Sequence, residues 1–392
     1  MRLFSTKFAV TIAAATMALS SFAIDASVKA DTPGVSDKEI RIGAFGPFGG
    51  PVYLYGKLVM NGVEAVFDKV NESGGVNGRK LVLVREDDNC KPEGAIAAVK
   101  KLAYQEKVFA IIGGACSNAT LAATPELVKS GVPMVVNSAV ADAITTPPKK
   151  NIFTTQLTSS IESRAQIDFA LKKGMKKLAV VRMTDAWAMA RYNPLMEYAK
   201  KKGITFVENV ELQVDAPDAT PQALKLKASG ADAVIMILYA KPGAVMVRDA
   251  LKIGYKPFFV GQTAINDFAA FQEQVGIPGA LKDFATITAV KYQPTDPEME
   301  GWTSRIKKLF PNDKLSTFNM NGIGSAEVMA EAIKRAGSGI TREKFLIELG
   351  KITDFQSSVY AGDITCGAPA SHQCNQSPGW LALVNGKITL LD

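Results

Sequence analysis

Short apolar segments alternate along this chain with segments of helical spacing, and this alternation limits the possible folds more than any other feature. Residues 81–84 form a continuous apolar run inside a strand candidate at 80–85, a pattern typical of strands buried on both faces of a parallel sheet. The helix candidate at 55–71 has apolar side chains at i, i+4 spacing. Two successive series of this kind predict two doubly wound α/β domains. The other strand candidates are 40–45, 108–113, 133–137, 177–182, 205–210, 233–238 and 257–261.

The composition excludes several classes of protein. Hydrophobic residues make up 47% of the 392 residues and charged residues 21%, so the chain can bury a sizeable core. After the first thirty residues no apolar run is long enough for a polytopic membrane protein. The net charge of +7 is mild, and no basic cluster is interleaved with aromatic residues, so nucleic acid is not an expected partner. The single histidine, His372, argues against a hydrolase triad, and no cofactor motif is found.

The amino terminus has the pattern of a secretory signal peptide, assigned to residues 1–30. Arg2 and Lys7 precede an apolar run over residues 8–19, and small residues follow. This is the order of a basic region, an apolar region and a cleavage site. Cleavage is predicted after Ala23 or after Ala30. The mature chain is therefore expected to be soluble and exported.

Export favours disulfide bonds between the four cysteines, because an exported protein enters an oxidising compartment. Cys90 is assigned to Cys116, and Cys366 to Cys374. The alternative is a metal site made by Cys366, His372 and Cys374, but it lacks a CxxC pair and a fourth ligand at usable spacing. No metal is therefore expected.

Candidate binding residues lie in the loops after the strands, since α/β sheets bind ligands outside the carboxyl ends of their strands. Ser117 stands where the loop at 113–120 enters a helix. Its hydroxyl and the free N–H groups of the first turn predict a seat for a carboxylate. A helix N-cap is an equally good interpretation of the same serine. Ser138, Ala139 and Val140, after the next strand, are expected to add donors to this seat.

A series of motifs along the first third of the chain has a counterpart in a known family. The segment GPFGGP at 46–51 is followed by Tyr55-Gly56, by NESGGVNGR at 71–79, by EDDNCKPE at 86–93 and by IIGGACS at 111–117. These motifs resemble the periplasmic Leu/Ile/Val-binding proteins of ATP-driven importers of branched-chain amino acids, and the resemblance extends over residues 38–392.

That resemblance implies the type I periplasmic-binding-protein fold, in which two doubly wound α/β lobes are joined by three crossovers and close on a ligand. The N-terminal lobe would comprise residues 31–157 plus 286–362. The C-terminal lobe would comprise residues 158–285 plus 363–392.

The resemblance also implies positions for the ligand. Ser117, Ser138 and Ala139 look like the residues that hold its carboxylate. Tyr55, Trp187 and Tyr239 look like the aromatic residues that contact its body.

Two departures from the family pattern bear on the ligand. Val140 stands where amino-acid binders have a threonine beside the carboxylate. Thr263 stands where they have an acid that pairs with the ligand ammonium. Because a buried ammonium without a carboxylate partner is costly, an amine-free aromatic or aliphatic acid becomes a candidate beside a branched-chain amino acid. Asp185 and Asp267, in nearby loops, are alternative partners for an ammonium.

The expected function is that of a non-enzymatic, monomeric periplasmic receptor, which delivers a small carboxylate-bearing solute to an inner-membrane ABC permease. One alternative is a ligand sensor of the same fold that signals to a regulatory or chemoreceptor partner. A second alternative is an exported enzyme that uses the acidic loops.

Overall fold

A first parallel sheet is formed by the amino-terminal part of the chain. The computed structural model describes residues 32–50, 52–367 and 371–391, and the predicted signal peptide lies outside these ranges. The strand order in the first sheet is β2-β1-β3-β4-β5, with every pair parallel. The strands are β1 (Glu39–Gly46), β2 (Lys80–Asp87), β3 (Ala110–Gly113), β4 (Met134–Val136) and β5 (Ile152–Thr154).

Helices cover both faces of this sheet, as a doubly wound fold requires. They are α1 (Tyr53–Glu72), α2 (Pro92–Lys100) and α3 (Ser117–Ser130). Pro92 opens α2, where its missing N–H costs no hydrogen bond. The helix predicted after residue 120 in fact begins three residues earlier, at Ser117, directly after Cys116.

The second sheet has seven strands in the order β12-β11-β10-β9-β8-β6-β7. They are β6 (Leu178–Arg182), β7 (Glu208–Glu211), β8 (Ala233–Ile237), β9 (Phe258–Gly261), β10 (Phe284–Thr288), β11 (Gly379–Val384) and β12 (Lys387–Leu391). The first five are parallel, but β11 and β12 are antiparallel. This hairpin was not predicted. Its turn residues Asn385 and Gly386 both have positive φ, as the two-residue turns of twisted hairpins require.

The remaining helices complete the fold. They are α4 (Ser159–Lys172), α5 (Ala186–Lys201), α6 (Thr220–Ala228), α7 (Ala240–Lys252), α8 (Phe268–Val275), α9 (Glu300–Leu309), α10 (Thr317–Ala336) and α11 (Arg342–Gly350). Residues of α9, α10 and α11 pack in the same core as α1 and the first sheet, although they follow β10 of the second sheet. The chain therefore returns to the first core and leaves it again before β11.

Two glycines let α1 and α10 approach closely. A Cβ at Gly62 would lie 2.0 Å from the carbonyl oxygen of Asn319, and one at Gly322 would lie 1.9 Å from that of Val59. Real Cβ atoms do not come so near to backbone oxygens, so any larger residue forces the helices apart. This contact fixes the start of α1, which carries Tyr55.

Both predicted disulfides are confirmed. Cys90 is bonded to Cys116, with their Cα atoms 5.5 Å apart, and Cys366 is bonded to Cys374. The alternative of a metal site at these cysteines is therefore wrong, because both thiols form the disulfide. Its third member, His372, stacks on Phe153 with ring centroids 3.9 Å apart.

The predicted α/β fold class is confirmed, and the strand candidates agree with the observed strands to within a few residues. The lobe boundaries stay a prediction. In the part of the chain that the structure describes, no helix is long and apolar enough to span a membrane.

Candidate ligand-binding site

Ser117 organises one half of the candidate site. Its Oγ accepts hydrogen bonds from the backbone N–H groups of Val140 at 3.1 Å and Ala141 at 3.3 Å. The N-cap of α3 is Cys116, and no side chain caps this end, so the interpretation of Ser117 as an N-cap is wrong. A hydroxyl that accepts two bonds still has its own hydrogen to donate. Ser117 can therefore bind an anion while it holds the neighbouring loop.

The loop after β4 uses several of its donors within the protein. The N–H of Ala139 donates to the carbonyl oxygen of Gly114 at 2.8 Å, and that of Val140 donates to Ser117. The hydroxyl of Ser138 donates to the side-chain oxygen of Asn137 at 3.1 Å. These residues were expected to add donors to an anion seat. In the structure, those donors shape the loop instead.

Tyr55 connects this loop to the other half of the site. It lies in the first turn of α1, half-buried, and its hydroxyl donates to the carbonyl oxygen of Ser138 at 3.5 Å. Its ring packs edge-on against Phe318. Burial raises the pKa of Tyr55, whereas the hydrogen bond to Ser138 and the positive charge of Arg191 lower it, and Glu162 raises it again. Charges on α4 and α5 thus act on a side chain of the first half.

The other half contains a stack of aromatic and cationic groups. The rings of Trp187 and Tyr239 have centroids 4.2 Å apart, and the Arg191 guanidinium lies 4.1 Å from the Trp187 ring centroid. Asp185 caps α5 by accepting from the N–H of Ala188. It also accepts from the Tyr239 hydroxyl at 3.4 Å. Burial and then the charge of Asp185 raise the pKa of Tyr239. The predicted pair Trp187 and Tyr239 therefore forms one surface.

A buried carboxylate lies next to Thr263, where the sequence analysis found none. Glu162, in the first turn of α4 and 1% exposed, accepts from the Thr263 hydroxyl at 2.6 Å. Its other oxygen lies 3.6 Å from Nε of Arg191. Asp267, the other acid considered for this position, instead caps α8 by accepting from the N–H of Ala270. The acid that complements Thr263 thus comes from a helix distant in sequence.

The two halves are connected through backbone bonds. The carbonyl oxygen of Val140 accepts from both the N–H and the hydroxyl of Ser159, at 2.8 Å and 3.1 Å. Asp142 accepts from the N–H and hydroxyl of Ser160. Ser159 and Ser160 open α4, which carries Glu162 in the same turn. The loop held by Ser117 is therefore bonded directly to the helix end that presents Glu162.

Glu162 and Arg191 were missed by sequence reasoning, for identifiable reasons. Ser159 to Glu162 reads as the capping box S-x-x-E, in which the acid serves its own helix. In the structure the N-cap is Thr158, without a side-chain cap. Arg191 follows Trp187 by four residues, so the two share a helix face, and this spacing was the available signal. Both residues lie within helices, whereas the rule for ligand positions in α/β sheets points to the loops after strands.

Comparisons with known proteins show the family of the chain. The family model described as periplasmic binding protein matches residues 39–387. The Leu/Ile/Val-binding protein homolog 3 of Brucella melitensis is 26% identical, with 82% of this chain and 85% of the relative covered.

Two solved structures share the fold and differ in their ligands. One is a branched-chain amino acid transporter substrate-binding protein of Streptococcus pneumoniae in complex with isoleucine. It has a TM-score of 0.72 and 21% identity, covering 90% of this chain and 99% of the other. The second is a solute-binding protein of an ABC transporter from R. palustris in complex with benzoate. It has a TM-score of 0.71 and 18% identity, covering 90% and 95%.

Proposed function

The chain belongs to the periplasmic binding protein family, and we propose that it binds a small carboxylate-bearing solute between two lobes and delivers it to an inner-membrane ABC permease. The lobes would be residues 31–157 plus 286–362 and residues 158–285 plus 363–392. A ligand that contacts both lobes favours the closed state by its differential affinity for that state, and the permease would recognise the closed form. The protein would act as an exported monomer without catalysis.

The observation that carries this proposal is the bonding of Ser117. Its oxygen holds two backbone N–H groups, and its hydroxyl hydrogen can donate to a carboxylate. The first turn of α3 leaves N–H groups without intrahelical acceptors, and the positive end of a helix favours an anion. Tyr55, Trp187 and Tyr239 offer apolar surface for the body of such a ligand.

An amine-free acid fits the charges of the site better than an amino acid does. A zwitterionic ligand brings an ammonium, which needs an uncompensated carboxylate when it is buried. Glu162 is the buried carboxylate of the site, and Arg191 already lies beside it. We therefore expect aryl or alkyl carboxylates to bind at least as tightly as leucine, isoleucine or valine. Relatives of the same fold include proteins solved with isoleucine and with benzoate, so both classes are accessible to it.

Thermal-shift screening followed by calorimetry tests the proposal. Benzoate and 4-methylpentanoate should be compared with L-leucine on the mature protein, with methyl benzoate as the uncharged control. A ligand present at 100 times its dissociation constant stabilises a protein by about 2.7 kcal/mol, which is a readily measured shift. Tight binding of leucine with no response to either acid would contradict the amine-free assignment. No response to any of the carboxylates would contradict the wider proposal.

A further inference from the structure

Arg191 is the one strongly charged group of the site whose donors the described protein atoms leave unused. It is 3% exposed, and within the described ranges its Nε and Nη1 atoms have no hydrogen-bond acceptor. The nearest carboxylate oxygen, on Glu162, is 3.6 Å from Nε, which is beyond hydrogen-bond distance. Buried guanidinium N–H groups normally have acceptors, since an unpartnered one is costly.

The environment of Arg191 explains why its donors stay unused. The guanidinium stacks on Trp187, which fixes its plane but supplies no acceptor in that plane. Glu162 is held by Thr263, through the hydroxyl at 2.6 Å and the N–H at 3.4 Å. The pair therefore balances in charge but not in hydrogen bonds. What is missing is an oxygen acceptor.

We propose that Arg191 binds an oxygen of the ligand next to its carboxylate, so that the site selects 2-oxo or 2-hydroxy acids over the corresponding 2-amino acids. This inference rests on the proposed function, in which Ser117 binds the carboxylate. Glu162 accepts a hydrogen bond from Thr263 and lies beside Arg191, so the positive guanidinium offsets its negative charge. An ammonium gains from Glu162 but is repelled by Arg191, whereas a carbonyl oxygen gains a charge-assisted hydrogen bond.

A series of hydrogen bonds from Ser117 to the start of α4 supports a ligand substituent close to the carboxylate. Ser117 holds the N–H of Val140, and the carbonyl oxygen of Val140 is bonded to Ser159. Glu162 follows in the first turn of the same helix. The charge of Arg191 also acts on Tyr55, which is bonded to the loop beside Ser117. These contacts link the carboxylate seat to the surroundings of Arg191 through Tyr55 and through the start of α4, and the proposal requires one small acid to contact both.

Three ligands of one carbon skeleton test the inference. They are 4-methyl-2-oxopentanoate, 4-methylpentanoate and L-leucine, which differ only in the substituent beside the carboxylate. For the wild type, calorimetry should give the tightest binding for the oxo acid and the weakest for leucine. A charge-assisted hydrogen bond corresponds to roughly tenfold to more than a hundredfold in affinity, and this is the expected advantage of the oxo acid over the plain acid.

Two variants separate Arg191 from a merely structural role. The double variant Arg191→Met with Glu162→Gln leaves no unpaired buried charge, so it should fold, as its melting curve without ligand will verify. It should lose the advantage of the oxo acid, because the affinity for 4-methyl-2-oxopentanoate should fall by a larger factor than the affinity for 4-methylpentanoate. Glu162→Gln alone retains Arg191, so it should keep the oxo-acid advantage and weaken leucine further.

Each contrary result is distinct. An equal loss for both acids in the double variant, or a wild type that binds the two acids equally, would overturn the role of Arg191 and leave the proposed function intact. A wild type that binds leucine but neither acid would overturn the proposed ligand class, and the role of Arg191 with it.

Discussion

Replacing Ser117 by alanine removes the acceptor for two buried backbone N–H groups and, by the proposed function, a donor to the ligand. Val140 and Ala141 are 6% and 8% exposed, so water cannot readily replace the lost oxygen. A buried donor left without a partner costs about 1–3 kcal/mol. Two donors lose their partner, but they share one oxygen at 3.1 and 3.3 Å, so we expect a total in the lower part of the range for two such donors, about 2–4 kcal/mol.

This magnitude differs from the one expected for a helix cap, which is about 1 kcal/mol. Urea unfolding of the mature protein gives the stability change, and calorimetry with 4-methylpentanoate gives the affinity change. The affinity should fall roughly tenfold to more than a hundredfold, as for the loss of one charge-assisted hydrogen bond. Ser229→Ala is the matched control, since that hydroxyl lies at the end of α6 and donates to the carbonyl oxygen of Leu226 in its own helix.

The result that would refute the reasoning is specific. If Ser117→Ala costs no more stability than Ser229→Ala, its bonds to the loop contribute nothing measurable. If the dissociation constant is also unchanged, Ser117 does not bind the carboxylate, and the anion must be held elsewhere in the site.

Three further predictions concern the fold. Gly322→Ala should lower the free energy of unfolding by more than about 2 kcal/mol, because its Cβ would collide with α1. The control Gly301→Ala, in an open helical position, should be neutral or stabilising. Equal effects of the two variants in urea unfolding would argue against the close helix contact. Burial raises the pKa of Asp88 to about 6, so the native state binds more protons than the unfolded chain between about pH 4 and 6. Wild-type stability should therefore fall relative to that of Asp88→Asn as pH rises through that window. The same stability difference between the two proteins at pH 4.5 and 7.5 would contradict this. Replacing Cys366 and Cys374 by serine should cost about 2–3 kcal/mol on the chain-entropy estimate for so short a loop, and free thiols at both positions in non-reduced protein would disprove the bond.

Local pattern made the fold predictable. Residues 81–84 are apolar without interruption, and the strand there, Lys80–Asp87, pairs in parallel with its neighbour, as expected of a strand between helix layers. Asn385-Gly386 is also a local signal of a two-residue hairpin turn, although the antiparallel pair that it joins was not predicted. Helix starts were less predictable, since α3 begins directly after the disulfide-bonded Cys116 and has no side-chain cap to mark its start.

The candidate site was only half predictable, because its charges come from different parts of the chain. Ser117, Trp187 and Tyr239 follow strands, so the rule for ligand positions in α/β sheets finds them. Glu162 meets Thr263 across 101 residues of sequence, and Arg191 meets Glu162 by the packing of two helices. No local pattern encodes a contact of that kind.

The bonding around Val140 bears on how selectivity is achieved. The N–H of Val140 is held by Ser117, and its carbonyl oxygen is held twice by Ser159. Ser159 opens the helix whose first turn presents Glu162. The proposed carboxylate seat is therefore linked by short hydrogen bonds to the helix end that carries Glu162, and Glu162 lies beside Arg191, the residue proposed to bind the neighbouring oxygen. Arg191 and Glu162 are both buried, and Glu162 is held by Thr263, so neither side chain can readily shift to accommodate a ligand whose two polar groups are spaced differently. Discrimination beside the carboxylate should consequently be strict, whereas the aromatic surface of Trp187 should tolerate bodies of different shape.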